Sequence, residues 1–381
     1  MNITTFTMKN TIYKYFFHEF LRYFTITLFA LAIIVWTIQA VNFLDLVTED
    51  GHAFTTYFTY SLLTLSKVFT KLIPFCFLVA TILTILKFEK DNELIVVWTS
   101  GLNKIHIVNL IFRISLIIML FQLILTSTIN PKLLNLSRSI LKNSELQFVS
   151  SLLKEKQFND TVKGLTVFVE EKTDDNTYNN ILIRDDGNVL SKIGTLSSTI
   201  FAKSGALSND EKYLILYNGN IQKLEKDGDV SIINFKKTTF SLSGISTKSI
   251  SEPKIQETST ISFLQCIKDK NTIARHCDQS KKSLMDTKIE LNKRLGAPIF
   301  IPLISLVCSF LLSSRRDEKI YNYNKYIYFF ISFLILALAE ILVRYSGISI
   351  THTIIYYLFP LVMLPFFYFT LLRKFKYENL Y

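Results

Sequence analysis

Six apolar segments, arranged in two groups of three, are the feature that most restricts the fold of this chain. Each carries few charges and is long enough, with its flanking residues, for a helix to cross the roughly 30 Å hydrocarbon core of a bilayer. About 165 mostly polar residues separate the groups, so the segments cannot share the core of one soluble domain. We predict six membrane-spanning helices, at residues 24–44, 72–86, 105–129, 297–313, 326–343 and 353–372.

Lysine and arginine are concentrated at one end of the predicted spans. The loops at residues 45–57 and 346–352, at the other end, contain neither. Because cytoplasmic loops retain positive charge, we expect both termini in the cytoplasm. Residues from about 131 to 290 are then expected outside the cytoplasm, in the periplasm if the cell is a Gram-negative bacterium. The first segment is too long for a cleaved signal peptide and is predicted to stay as an anchor. The cations at the cytoplasmic end are Lys9, Lys14, Arg22, Lys87, Lys90, Lys104, Arg315, Arg316, Lys319, Lys325, Arg373, Lys374 and Lys376.

The polar central part has the pattern of an antiparallel β domain. Turn residues recur about every 8 to 12 positions, and the segments between them alternate apolar with polar residues. We predict a jelly roll or sandwich, flanked by helical connectors, and hence an α+β membrane protein. Its predicted parts are an N-terminal membrane half at residues 1–130, the β domain at 131–294 and a C-terminal membrane half at 295–381. The predicted strands are residues 164–171, 181–188, 198–210, 211–220, 221–229 and 230–242, with a turn at 174–180.

The loop KFEKDNELIVVWTSGLNK, between the second and third segments, predicts a short helix at about residues 89–101. Asp91 and Asn92 are N-cap candidates. Glu93 adds negative charge to the first turn, and Gly101 is suited to end the helix. Such a helix is too short to cross a bilayer. Two interpretations remain: a turn in the membrane interface, or a coupling helix that binds a cytoplasmic ATPase. The apolar side chains of this helix are Leu94, Ile95, Val97 and Trp98.

The string NELIVVWTSGLNK, with Glu93-Leu94 followed by Ser100-Gly101, resembles the signature of the LptF/LptG permease family of the lipopolysaccharide exporter. The run YKYFFHEFLRYF before the first segment and LIP at residues 72–74 agree with this family. The strand sequences IFAKSGAL and INFKKTTFSL are similar to its periplasmic domain in order and spacing. The resemblance covers nearly the whole chain, and the region around Trp36 is closer to the LptF branch. Further matching positions are Glu290, Leu291, Arg294, Leu295 and Pro298.

The resemblance implies one half of an ABC transporter that extracts lipopolysaccharide from the inner membrane. A paralogous LptG or LptF permease would pair with this chain, and an LptB-type ATPase dimer would bind at the cytoplasmic face. LptC and LptA-type periplasmic jelly-roll proteins would receive the lipid. The chain contains no G-x-x-x-x-G-K-[ST] loop, so we predict a non-enzymatic subunit whose partner hydrolyses ATP. The residues expected to contact the ATPase are Glu93, Leu94, Val97, Trp98, Ser100 and Gly101.

Two lysines near the predicted outer leaflet, Lys67 and Lys71, are candidates to contact lipid phosphate. They lie four residues apart, on one helical face of the run into the second segment. A doubly phosphorylated glycolipid would present anionic oxygens at this depth. The alternative is that these long cations reach the interface for purely structural reasons.

Other charges near the predicted spans fit ion pairs. Glu340 and Arg344 are spaced i, i+4 in the favourable order, which suggests mutual neutralisation. Arg344 is also a candidate phosphate contact. Glu290 and Arg294 form the same kind of pair and suggest a structural pin. Arg113, inside the third segment, either reaches towards the cytoplasmic interface or faces a cavity.

The four cysteines divide into two pairs. Cys76 and Cys308 lie within predicted spans and are interpreted as packing residues. Cys266 and Cys277 lie in the exported linker, where an oxidising compartment permits a disulfide. A metal site that includes His276 is the alternative, although the usual short cysteine spacing is missing. We predict no metal and no cofactor.

Other classes of function are weighed against the transporter. No H-E-x-x-H or G-x-S-x-G motif is present, which argues against an intramembrane enzyme. The net charge of +11 follows from the cytoplasmic cations and the lysine-rich centre, so nucleic acid is not an expected partner. The alternative kept open is a membrane adaptor that transports nothing and binds a partner through its exported β domain.

Overall fold

The computed structural model describes residues 3–48, 53–143, 153, 155–162, 164–174, 177–186, 195–208, 213–225, 229–241, 254–268, 281–313 and 321–378. The chain divides into two compact units, a membrane unit and a β unit. The membrane unit comprises Met1–Thr37, Thr64–Asn135 and Lys254–Tyr381. The β unit comprises Ile38–Leu63 and Leu136–Pro253.

Within the described residues, six helices are long and apolar enough to cross a membrane, which confirms the predicted number and order. They are longer than the predicted segments because the amphipathic residues on either side continue the same helices. The run before the second segment, for example, extends that helix back to Phe54. The six spans are Thr11–Asn42, Phe54–Lys90, Lys104–Leu141, Lys282–Ser313, Tyr323–Tyr345 and Ile350–Lys376.

Two of these spans contain more than one helical element. A π-helical turn at Leu125–Ile129 joins two α-helices in the third span, and a 3₁₀ turn at Ala297–Ile299 joins two in the fourth. The α-helices are α1 Ile3–Asn42, α2 Asp45–Thr48, α3 Phe54–Lys90, α4 Glu93–Thr99, α5 Lys104–Ile124, α6 Asn130–Asn143, α7 Thr260–Lys268, α8 Lys281–Gly296, α9 Phe300–Ser309, α10 Tyr321–Tyr345 and α11 Ile350–Glu378.

The centre of the membrane unit is α9, all of whose residues are buried. It packs against α5, α10 and α11. Ile304 of α9 belongs to one apolar cluster with Phe77 of α3 and Ile111 of α5. By contrast, α1 and α10 leave large apolar side chains such as Ile33 and Phe330 exposed. Burial of such surface in lipid is favourable, so these faces suit contact with a bilayer or with another membrane subunit.

The β unit contains a single six-stranded antiparallel sheet in which each strand pairs with its sequence neighbours. This confirms the predicted antiparallel β domain between the third and fourth spans. The connectivity is that of a meander, because short connections join neighbouring strands directly. The inward side chains of these strands form one apolar cluster. The strands are β1 Phe158–Val162, β2 Leu165–Asp174, β3 Thr177–Asp185, β4 Thr195–Leu207, β5 Tyr213–Glu225 and β6 Val230–Ser241.

Two boundaries predicted for the β domain are wrong. They are the break between strands after residue 220 and the extent of the turn at 174–180. β5 is one continuous strand from Tyr213 to Glu225, across the predicted break, and β3 already begins at Thr177, inside the predicted turn. Asn180 and Asn218 instead adopt left-handed conformations inside their strands, with φ of 49° and 50°. Asparagine tolerates this conformation better than most residues. The turn-forming residues therefore mark a distortion within each strand rather than its end.

That distortion shifts the alternation of buried side chains. Buried positions in β3 are three residues apart at Tyr178 and Ile181, where a regular strand would place them two apart. In β4 the same three-residue step separates Ala202 from Gly205. The two steps are opposite each other, since Ile181 pairs with Ala202 and Tyr178 with Gly205. β3 and β4 thus each contain one extra residue at this point. Because the two extra residues lie opposite each other, the pairing of the two strands stays in register.

Candidate functional site

The short helix α4 begins directly after α3. Asn92 is its N-cap, with φ of 59°, and makes no side-chain capping hydrogen bond. The helix covers Glu93–Thr99, about 10 Å, and is shorter than the predicted 89–101 because α3 continues to Lys90. Gly101 follows the helix with φ of 85°, and its N–H donates to the carbonyl of Trp98 at 3.1 Å. A left-handed glycine here matches the predicted helix end.

The two sides of α4 differ in exposure. Leu94 and Val97, at 6% and 7% exposed, belong to the main apolar cluster of the membrane unit. Trp98 is half-buried and packs against the same cluster, with Lys104 Nζ 6.0 Å from its ring centre. Ile95 and Val96 point the other way, at 57% and 67% exposed. The predicted contact residues Leu94 and Val97 thus anchor the helix, and Ile95 and Val96 form its free apolar surface.

Glu93 connects α4 to the first helix. The hydroxyl of Tyr15 donates to Glu93 Oε1 at 3.1 Å. The Tyr15 ring also lies 5.4 Å from the ring of Phe88, near the end of α3. Lys87 reaches back to Glu19 of α1, with Nζ 2.8 Å from Oε2. The start of α1, the end of α3 and α4 therefore form one connected block.

Sequence reasoning missed the residues that build this block. It treated the run YKYFFHEFLRYF only as part of a family resemblance, and it counted Lys87 among the loop cations. Pairing of Tyr15 with Glu93, or of Glu19 with Lys87, joins residues far apart in the chain. A single sequence carries no periodic signal for such pairs. The available signal was the position of Glu19 and Lys87 next to long apolar runs, because charges near an apolar core need partners.

Ser100, another of the predicted contact residues, lies at the end of the helix. Its N–H donates to the carbonyl of Val96 at 3.1 Å, and its hydroxyl donates to that of Val97 at 2.8 Å. Ser100 is the C-cap residue and is exposed. The serine and glycine after the helix therefore satisfy carbonyl groups that a helix end leaves open.

The two predicted phosphate-contact lysines lie elsewhere in the membrane unit, on α3. Lys67 is half-buried and Lys71 is exposed. Lys254 is a third cation that acts electrostatically on Lys67, as do the carboxylates of Glu257 and Glu290. Positive charge is in excess in this cluster of three lysines and two glutamates. Its chemistry suits a bound anion.

Arg294, at 4% exposed, is the centre of a dense polar network beside this lysine cluster. Its Nε donates to Glu290 Oε1 at 3.0 Å. Its two terminal nitrogens donate to backbone carbonyls of the linker before α7, Nη1 to Thr258 at 2.8 Å and Nη2 to Gln256 at 3.0 Å. The guanidinium carbon also lies 4.8 Å from the ring centre of Phe263. A planar guanidinium with five donors is well suited to this task.

The π-helical turn of the third span contacts the same linker. Thr126 donates from its hydroxyl to the carbonyl of Arg294 at 2.9 Å. Thr260, at the start of α7, donates to the carbonyl of Ser127 at 2.6 Å. A π-helical turn leaves backbone carbonyls available, because its hydrogen bonds are displaced from the α pattern. The linker is thereby fixed to both the third and fourth spans.

Glu340 makes its shortest ion pair with Lys293, and not with the predicted partner Arg344. Lys293 Nζ on α8 lies 2.8 Å from Glu340 Oε1, whereas Arg344 Nε lies 4.0 Å away. The Arg344 side chain is 75% exposed. Glu340 therefore links α10 to α8, and Arg344 is largely at the surface.

The structure describes three of the four cysteines. Cys76 and Cys308 are free and buried. Cys266 lies buried on α7 and is disulfide-bonded. Cys277, its predicted partner, lies outside the described residues, as does His276. Among the described residues no group of three or more His, Cys, Asp or Glu is placed to hold a metal ion.

Arg113 lines a cavity of about 440 Å³ beside α11, together with Tyr368. The hydroxyl of Tyr368 donates to Asn109 Oδ1 at 3.1 Å. Of the two interpretations of Arg113, a cavity-facing position agrees with this placement.

Two comparisons with known proteins bear on this arrangement. An uncharacterized protein of Rickettsia prowazekii (strain Madrid E) is 29% identical over 225 residues, which cover 58% of this chain and 61% of that relative. The match thus spans about three fifths of the relative's length. The family model for the lipopolysaccharide export system permease LptF/LptG matches residues 14–374, which begin within α1 and end within α11. With its six spans and the sheet between the third and fourth, this chain belongs to the LptF/LptG family of lipopolysaccharide export permeases.

Proposed function

We propose that this chain is one permease half of an ABC transporter that extracts lipopolysaccharide from the inner membrane. In this proposal a partner ATPase of the LptB type supplies the energy, and both termini and α4 lie in the cytoplasm. The observation that carries it is the exposed pair Ile95 and Val96 on a helix whose other side is fixed in the membrane unit. Family membership supports the permease role.

The α4 helix is suited to transmit force from a motor. Leu94 and Val97 are held in the apolar cluster, and Glu93 is bonded to Tyr15 of α1. Displacement of α4 by a partner bound at Ile95 and Val96 would therefore move the ends of α1 and α3 as well. Closure of the ATPase dimer would then reach the lipid-facing helices through packed side chains.

We further propose that Lys67, Lys71 and Lys254 contact lipid phosphate at the periplasmic end. Their combined charge and the partial burial of Lys67 favour an anionic group. Arg344, exposed at its own helix end, is a second candidate on the same side. The β unit would pass the lipid towards LptC and LptA-type proteins, and a paralogous LptG or LptF subunit would complete the membrane part.

The test is co-purification of the full chain with its ATPase after substitution of both Ile95 and Val96 by Asp. Two charges on this surface should abolish association while leaving the buried face of α4 intact. The matched control replaces both Ile232 and Ile233 on β6, which are 60% and 49% exposed, by Asp. It introduces the same change far along the chain and should leave co-purification unaffected.

Mass spectrometry of lipid bound to the complex tests the cargo in the same preparation. A transporter should retain lipopolysaccharide in the wild type, and reconstituted export should stop in the Ile95/Val96 double variant. The adaptor alternative predicts normal function of that variant, and of Glu93→Lys as well. Unchanged ATPase binding by the double variant would refute the coupling role of α4.

A further inference from the structure

Two cavities lie between α5 and α11, and the groove that contains them is called the seam below. The first cavity, of about 520 Å³, is lined by Ile105 at the start of α5 and by Leu372, Arg373 and Lys376 near the end of α11. The second is the cavity of about 440 Å³ that contains Arg113. Cavities of this size fall in the range of small-ligand sites. Neither belongs to α4 or to the lysine cluster on α3.

The two cavities follow one another along α11. Lys376 and Arg373 lie at the helix end, Phe369 lies one turn further in, and Leu364 and Pro365 line the second cavity. The distance along the helix from Lys376 to Leu364 is about 18 Å, at 1.5 Å per residue. The seam therefore has a cationic mouth at the end of the spans and an apolar wall that reaches well into the membrane.

Charge is of one sign along this seam. Arg373, Lys376 and Arg113 line the two cavities, and among the side chains that the structure describes no aspartate or glutamate lines either of them. Lys104 adds a cation at the mouth, with Nζ 5.7 Å from the ring centre of Phe375, which also lines the first cavity. The deeper cavity is otherwise apolar apart from Asn109 and Tyr368, which bond to each other. An anionic head with an apolar tail complements both parts.

We propose that this seam binds an acidic phospholipid such as phosphatidylglycerol. The head-group phosphate lies at Arg373 and Lys376, and one acyl chain extends past Leu372 and Phe369 towards Leu364. Basic pockets between membrane helices bind anionic head groups in this manner. Positive charge near a membrane surface is common, but here it borders a cavity, and a second cavity follows along the same helix. The proposal does not depend on the export function.

The experiment measures phosphatidylglycerol retained by the full chain in native mass spectrometry. The protein is taken from vesicles of phosphatidylcholine with or without phosphatidylglycerol. Substitution of both Arg373 and Lys376 by Gln should lower retention about 30-fold. The matched control Lys374→Gln removes a cation from the same turn at a residue that does not line the cavity, and it should change little. Equal loss in the control would overturn the proposal in favour of general surface charge.

Two further arms separate the parts of the lipid. Leu372→Trp keeps both cations and fills the first cavity, so retention should fall although the charge is unchanged; full retention would refute acyl-chain binding in the seam. Inorganic phosphate should not displace the bound lipid, and displacement at millimolar phosphate would identify a site for free phosphate instead. Equal retention of phosphatidylcholine would likewise exclude an acidic-lipid site. Gel filtration of each variant checks that it folds.

Discussion

The hydroxyl of Tyr15 and the carboxylate of Glu93 meet at 3.1 Å, although 78 residues separate them in the chain. This hydrogen bond joins the first helix to the short helix α4. Glu93 sits in the first turn of α4, so this contact joins α4 to α1, and the aromatic pair Tyr15–Phe88 joins α1 to α3.

Removal of the Tyr15 hydroxyl should weaken coupling more than stability. Tyr15→Phe keeps the ring contact with Phe88 and removes only the donor, so the free energy of unfolding should fall by no more than about 1 kcal/mol. Lipid export per ATP hydrolysed should fall several-fold. Glu93→Gln, which keeps an acceptor oxygen, should be milder than Glu93→Ala. Strictly additive effects of Tyr15→Phe and Glu93→Ala in a double-mutant cycle would show that the bond carries no coupling.

Loss of Arg294 should detach the linker from the membrane unit. Arg294→Met removes the donors to the linker carbonyls and leaves Glu290 without its 3.0 Å partner. Breaking a buried ion pair on one side costs about 3–5 kcal/mol. Limited proteolysis should then cut near Thr258, and hydrogen exchange at Thr260 should accelerate.

The control for this variant is Arg344→Met, since Arg344 is mostly exposed and 4.0 Å from its carboxylate. It should leave the proteolytic pattern unchanged. Arg294→Lys keeps the positive charge, but its ammonium group cannot make the forked contacts of a guanidinium. Its proteolytic pattern should therefore be closer to that of Arg294→Met than to that of the wild type. Wild-type protection in Arg294→Met would contradict the role assigned to this network.

The contribution of Glu340 to the unfolding free energy should depend more on its contact with Lys293 than on its contact with Arg344. The Lys293 contact is the shorter, at 2.8 Å, and it bridges two helices, whereas the Arg344 pair lies within one helix. Lys293→Met should lower the unfolding free energy by about 0.5–1 kcal/mol, since both groups are partly exposed. Arg344→Met should lower it by less. Thermal unfolding in detergent at low and high salt would compare them, and the reverse ranking would be contrary to the geometry.

The membrane fold follows from the sequence because its signal is local. A long apolar run needs no information about its neighbours to be recognised as a spanning helix. Gly101 was identified in the same way, since a left-handed glycine after a short apolar helix is a local pattern. The antiparallel sheet was predicted from alternation within single strands.

What the sequence could not provide are relations between distant residues. Asn218 looks like a turn residue in isolation. Only the pairing of β5 with β4 on both sides of Asn218 shows that this residue lies inside the strand. Ile95 and Val97 are equally apolar, and the packing of α4 against the membrane unit decides which is exposed. The pairs Tyr15–Glu93 and Glu19–Lys87 depend on helix placement in the same way.

Gly296 should not tolerate a larger residue. A Cβ atom at this position would lie 2.2 Å from Cε1 of Tyr356, a side chain that is 1% exposed. The ring cannot move freely, because it also packs on Phe300 at 5.6 Å. Gly296→Ala should therefore lower the unfolding free energy by about 1–3 kcal/mol. Combining it with Tyr356→Leu should recover part of this loss, and failure to do so would place the strain elsewhere.

Two adjacent tyrosines on α11 should respond in opposite directions to loss of their hydroxyl groups. The Tyr356 hydroxyl is buried and has no hydrogen-bond partner among the described residues, so it is a cost to the folded state. The Tyr357 hydroxyl donates to Asn292 Oδ1 at 3.3 Å. Tyr356→Phe should raise the unfolding free energy by about 1 kcal/mol, and Tyr357→Phe should lower it by a similar amount. Each variant is the other's control for removal of one oxygen, and a thermal shift of the same sign in both would show that the hydroxyl groups share one environment.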